Sequence, residues 1–181
     1  MPEPWSAPWV EPQSSLSRAG VVLQKRRTRL ATSGKSPQPP LLALACLLVG
    51  LVLNHLHPLA TGLPDAPRLG ACALLVLLAA GLGGWGLRTF QQKATTPAPN
   101  GVASALLSSG PFQFSRNPLY LALATMHLAF GLLLDSTWLL LLTAGLVLLL
   151  DRLVIVREER RLLAQFGDDY LAYTRRVRRW L

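Results

Sequence analysis

Four apolar stretches constrain this chain more than anything else in it: Leu41 to about Leu59, Leu69 to Leu87, the stretch between Arg116 and Asp135, and Ser136 to about Val156. A helix must supply ~20 mostly apolar residues at 1.5 Å each to cross a hydrocarbon core of ~30 Å. The second and third stretches fit without help. The fourth has only fifteen uncharged residues before Asp151-Arg152, so a crossing must carry that pair to the cytosolic boundary or into the bundle interior. The first, with Asn54, His55, His57 and Pro58, is the weakest. The expected fold is all-α: a polytopic integral membrane protein of about four transmembrane helices, at about 41–59, 69–87, 117–134 and 136–156, with a C-terminal cytosolic or interfacial helical segment over 157–181. A content of 51% hydrophobic and 15% charged residues in 181 positions fits one bilayer domain over 41–181.

A formal net charge of +9 raises the question of nucleic acid, and the placement of the charges answers it. Arg18, Lys25, Arg26, Arg27, Arg29 and Lys35 precede the first span; Arg88, Lys93 and Arg116 lie between the second and third; eight arginines follow Asp151. Seventeen of the eighteen basic residues therefore fall on one side of a four-span arrangement, and Arg68 alone falls on the other. This is the positive-inside pattern with both termini cytosolic. No soluble basic surface with stacking aromatics is evident, so the expected partners are membrane lipids and not nucleic acid.

Residues 1–40 read as a disordered basic tail, rich in proline and serine, whose Lys25-Arg26-Arg27 cluster suits anionic lipid. No apolar h-region lies near Met1, so a cleaved signal peptide is not expected, while a transit peptide stays open. Cys46 and Cys72 both sit in apolar spans and read as packing residues. The second span ends in GLGGWGL (81–87), and with Ala79, Ala80, Gly83 and Gly84 this is a surface that lets helices approach closely, not a phosphate loop. His55 and His57 form an H-x-H pair with no third ligand close in sequence, so no metal site is expected. His127 sits mid-span and must find a partner inside the bundle.

The stretch GPFQFSRNPLYLA (110–122) sets polar residues directly against a span. Gly110-Pro111 makes a turn; Asn117 is a favoured N-cap, and Pro118 suits the first helical position, where its missing N–H costs nothing. A helix start there presents backbone N–H groups and a positive dipole end, with Arg116 beside them and Tyr120 on nearly the same face, so it suits a carboxylate or a phosphate. The same residues also describe a capped helix whose Arg and Tyr anchor at headgroup level. At the far end, VREERRLLAQFGDDYLAYTRRVRRWL (156–181) places Glu158-Glu159 at the membrane surface on the same side. Gly167 reads as a helix stop and Asp168 as the cap of a second short helix carrying Tyr170 and Tyr173. Asp151 shares a face with Glu158, seven residues on, and is expected to line a pocket at the cytosolic end, its carboxylate held by a partner such as Arg116 or Arg88; the competing reading has it snorkel to the headgroups beside Arg152.

Together, Gly110, Ser115, Arg116, Asn117, Pro118 and Tyr120, in the pattern G-x-x-x-x-S-R-N-P-x-Y, and the block from Glu158 to Leu181, in the pattern E-E-R-x-L-x-x-x-F-G-x-x-Y-x-x-Y-x-x-x-V-R-R-W-L, resemble the isoprenylcysteine carboxyl methyltransferase and phospholipid methyltransferase superfamily. FQQKATTPAP (90–99) is similar to that family's approach to its cofactor loop, and the resemblance covers about Phe90 to Leu181. It implies transfer of a methyl group from S-adenosyl-L-methionine, at the cytosolic membrane face, to a lipophilic or small acceptor. Carried over by position, it implies cofactor contacts at Ser104, Ala105, Leu106, Leu107, Phe112, Arg116, Asn117, Pro118, Leu119, Tyr120, Glu158 and Glu159, with Arg116, Tyr120 and Arg157 as the catalytic candidates. Two positions depart from it. Asn117 stands where the prenylcysteine enzymes carry His, and Val154 aligns with the arginine they use for the substrate carboxylate, leaving Arg157 or Arg152 to substitute. An NADPH-dependent membrane reductase of the sterol-reductase type, similar at its R-H-P and Y-x-x-Y blocks, and a non-catalytic membrane scaffold are the alternatives.

Overall fold

The structure, a computed structural model, describes residues 37–92 and 106–181. The expected tail lies outside the described residues up to position 36, and so do residues 93–105. Every regular element among the described residues is helical: α1 Pro39–Leu56, α2 Asp65–Gln92, a 3-10 turn Gly110–Gln113, α3 Pro118–Leu133, α4 Thr137–Leu149, a π-helical turn Leu150–Ile155, α5 Val156–Phe166 and α6 Asp168–Arg176. Helix α1 starts on a Pro-Pro pair, where a missing N–H is tolerated, so the helix begins two residues before the expected first span.

The second span fits as expected, while the first and third reverse the sequence expectation. Helix α1, the weakest by sequence, runs 18 apolar residues, and α2 runs 28, five more at its C-terminal end than the stretch read from hydropathy. Helix α3, expected to fit without help, has only 16 residues, rising roughly 24 Å against a core of ~30 Å. Polar ends do not stop a helix, so Asn54 and His55 sit within α1, whereas Leu134 and Asp135 turn the chain after α3. Helix α4 passes through the π turn into α5 without a break, making one apolar helix of 30 residues, Thr137–Phe166.

Helix α2 packs chiefly on α3, and α1 chiefly on α4, with α3 and α4 forming a hairpin between them. The α2–α3 contact uses Ala79, Gly83 and Gly86: Ala79 is buried, and a Cβ on Gly83 or Gly86 would meet Ala122 or Leu119. The spacing of four and then three residues keeps them on one helix face. Ala80 and Gly84, expected on that surface, point outward, because adjacent helical positions cannot share a face. The core gathers Ala43, Cys46, Leu146, Leu150 and Val154, while Leu48, Leu77, Leu141 and Leu148 stand more than half exposed. Leucines outside and Thr89, His127, Ser136 and Thr143 inside is the arrangement a bilayer demands. His127 illustrates it: Thr143 donates its hydroxyl to the Leu139 carbonyl, so its oxygen accepts from Nδ1 of His127 at 2.9 Å. Cys46 and Cys72 are buried free thiols.

One end of the bundle is closed by a polar staple. Arg68 reaches the Leu132 carbonyl and Asp65, each at 2.6 Å, and Asp135 accepts from the Thr61 amide at 3.0 Å and from its hydroxyl. Those hydrogen bonds hold the Asp135 carboxyl below the usual range. His55 and His57 are exposed, near where the His57 carbonyl accepts from Trp138 Nε1 at 2.8 Å.

Candidate functional site

The opposite end begins with Gly110, whose φ of 61° places it in the left-handed region that glycine adopts without strain. The turn it opens buries Pro111 and Phe112. The Phe112 ring meets Phe90 edge-on at 5.5 Å, and its carbonyl accepts the Tyr173 hydroxyl at 2.7 Å. Helix α3 then starts at Pro118, as the sequence requires, with Asn117 in the capping position. Its side chain does not cap. Asn117 Nδ2 donates instead to the Arg179 carbonyl at 3.0 Å, while the Asn117 amide donates to Ser115 Oγ at 3.1 Å. A strap formed by residues 177–181 lies along this helix start, and the Arg116 amide donates to its Arg178 carbonyl at 3.0 Å. Buried carbonyls need donors, and the strap supplies one that competes with capping.

Both motif blocks meet here. The Tyr120 hydroxyl donates to Glu158 Oε2 at 2.8 Å, and Arg116 Nη1 lies 3.2 Å from Glu159 Oε1. The residue that sequence reasoning missed is Arg179. Its Nε and Nη2 donate to the two oxygens of Glu159 at 3.1 and 2.5 Å, and its Nη1 donates to Asp151 at 3.1 Å. The bonds to Glu159 hold the Arg179 guanidinium more firmly protonated than usual. A signal existed in the V-R-R-W run, but nothing local says that its second arginine turns back 20 residues to Glu159.

Asp151 does sit at this end, but its expected partner is corrected. Arg179 pairs with it, with Arg152 Nε at 3.7 Å, whereas Arg116 pairs with Glu159 and Arg88 is exposed. The π turn explains the changed register. One residue added to a turn moves the shared face along by one, so Glu159, eight residues on, joins Asp151 through Arg179 instead of Glu158, seven residues on.

Leu106 packs on Tyr170, Tyr173 and Val177, and Leu107 is buried, while Ser104 and Ala105 lie outside the described residues. Pro118 is fully buried and Leu119 packs on α2 at Gly86. Arg157 is not brought into the cluster: it is exposed and has no ion pair among the described residues. Arg152 is exposed too, and Val154 is fully buried, so neither arginine reaches inward in its place. Gly167 ends α5 with a φ of 52°, and α6 begins at Asp168 itself, one residue earlier than a capping Asp168 would allow. The Tyr170 and Tyr173 rings lie 6.2 Å apart. Burial, with Glu159 nearby, pushes the Tyr170 phenol up to about 12, and burial also raises Tyr173, so both remain hydrogen-bond donors at neutral pH.

A helical bundle with leucine on its outer faces, and with charged side chains from the segment before α3, the π turn, α5 and the strap converging at one boundary, is a multi-pass membrane protein built around an interfacial polar site. Within that class the chain belongs to the phospholipid methyltransferase family, whose model matches residues 68–169, more than half of its 181 residues. This family lies within the isoprenylcysteine/phospholipid methyltransferase superfamily. A 63-residue stretch is also 38% identical to a Haemophilus influenzae protein described as uncharacterised, covering 35% of this chain and 100% of that relative. Membership implies a membrane methyltransferase.

Proposed function

We propose that this protein transfers a methyl group from S-adenosyl-L-methionine to a lipophilic or small acceptor at the cytosolic face of the membrane. The observation that carries the reading is the joining of the helix start to the acidic pair, through Tyr120 with Glu158 and Arg116 with Glu159. The donor set suits this cofactor. Nε of Arg116 is buried without a hydrogen-bond partner among the described residues, and the first amides of α3 have no intrahelical carbonyl, so together they suit a carboxylate. Glu158 suits a cationic amino group or ribose hydroxyls, and Leu106, Leu107 and Phe112 supply apolar and aromatic surface; Ser104 and Ala105 stay proposed contacts by the family pattern alone. The cofactor supplies an activated methyl group on a sulfonium, so the chain's task is to hold a nucleophile in line and keep water away, without a metal or a covalent side-chain intermediate. Arg116 and Tyr120 are the side chains assigned to the reactants.

Titration calorimetry on the detergent-solubilised protein tests this directly. S-adenosyl-L-methionine is expected to bind and NADPH is not. Binding of NADPH alone would replace the reading with a reductase, and binding of neither would leave a scaffold.

A further inference from the structure

Arg179 and the strap that carries it have no assigned part in the site. The guanidinium occupies both oxygens of Glu159 and also reaches Asp151, so it ties α5 to the π turn. Its own carbonyl accepts from Asn117 Nδ2 at 3.0 Å and from Ser115 Oγ at 3.4 Å, which ties the same residue to the start of α3. Next to it, Trp180 packs on the core cluster of Ala43, Cys46, Leu146, Leu150 and Val154, fixing the strap against α1 and α4. One residue therefore connects the two motif blocks by its main chain on one side and its side chain on the other. Glu159, held by Arg179 and by Arg116 at 3.2 Å, has both oxygens engaged within the protein, whereas Glu158 accepts from the Tyr120 hydroxyl and lies within electrostatic reach of Arg161.

We infer that Arg179 is a positioning residue: by clamping Glu159 it fixes the rotation of α5, and so aims Glu158 and Arg116 at the cofactor without touching it. The adjacent carboxylates then have separate duties, Glu159 as the clamp and Glu158 as the ligand. A guanidinium is needed because only a planar fork serves two oxygens of Glu159 while its third nitrogen reaches Asp151. This inference rests on the cofactor reading above.

The test is a double-mutant cycle of Arg179→Gln and Glu159→Gln, read as the dissociation constant for S-adenosyl-L-methionine in detergent alongside the unfolding temperature. Each single variant is expected to weaken binding on the order of tenfold, and the double variant by no more than either alone, because both remove one clamp. Arg179→Lys, which keeps the charge and loses the fork, is expected to recover the unfolding temperature but only part of the affinity, and it stands in should Arg179→Gln fail to fold. Wild-type affinity in a folded Arg179→Gln or Arg179→Lys protein, or losses that simply add in the double variant, would overturn the clamp. Absence of binding by the wild type would overturn the cofactor reading and the clamp with it.

Discussion

Asn117 shows how a single side chain is reassigned by its surroundings. At a helix start it has two uses, capping the first turn or satisfying a carbonyl brought in from elsewhere, and the Arg179 carbonyl takes it at 3.0 Å. Asn117→Ala is therefore expected to lower stability by about 1 kcal/mol, the worth of one hydrogen bond, seen as a fall in unfolding temperature. Arg157→Ala, at an exposed position, is expected to stay within about 0.5 kcal/mol of wild type and to bind the cofactor normally; a clear loss of cofactor affinity in that variant would return Arg157 to the site. The meeting of Arg116 and Tyr120 with Glu158 and Glu159 was legible in the sequence, because helix spacing and charge placement put both blocks at one boundary. The clamp by Arg179 was not, since no rule of local periodicity reaches from residue 179 back to 159 and 151.

Helices were legible as apolar stretches, and their ends were not. Hydropathy sees side chains, but the ends of α1 and α3 are set by prolines and by hydrogen bonds of the turns, which is why the weaker stretch gives the longer helix. The π turn was invisible for a related reason: a pattern read at 3.6 residues per turn cannot report an inserted residue, although it decides which carboxylate faces Asp151. Close packing in the hairpin makes a further expectation. A Cβ on Gly131 would fall within contact of both the Leu140 side chain and the Leu140 backbone nitrogen, and the backbone cannot yield. Gly131→Val is expected to destabilise by about 1–3 kcal/mol, while Gly84→Ala, facing open space, leaves the unfolding temperature unchanged or slightly higher. Thermal unfolding of the two variants in one detergent compares them directly.

Across the whole molecule the two ends of the described bundle differ in kind. The Thr61, Asp65, Arg68 and Asp135 staple closes one end with its carboxylates and guanidinium turned on one another and on the Leu132 carbonyl, whereas the other end gathers Arg116, Arg179, Glu158, Glu159 and Asp151 around the start of α3. Basic residues concentrate at the second end, so we propose that it faces the cytosol together with both termini. Cysteines introduced at Leu30 and Arg175 are expected to react with an impermeant reagent from the same side; labelling from opposite sides would invert that topology. The central claim, that the α3 start and the acidic pair form one cofactor site, is tested most directly by the affinity of Arg116→Ala and Glu158→Ala for S-adenosyl-L-methionine. Each change removes a charged partner, and hydrogen bonds to charged groups are worth about 1.5–3 kcal/mol, so binding should weaken on the order of tenfold or more in both variants. Two variants that unfold at the wild-type temperature and bind the cofactor with wild-type affinity would contradict it.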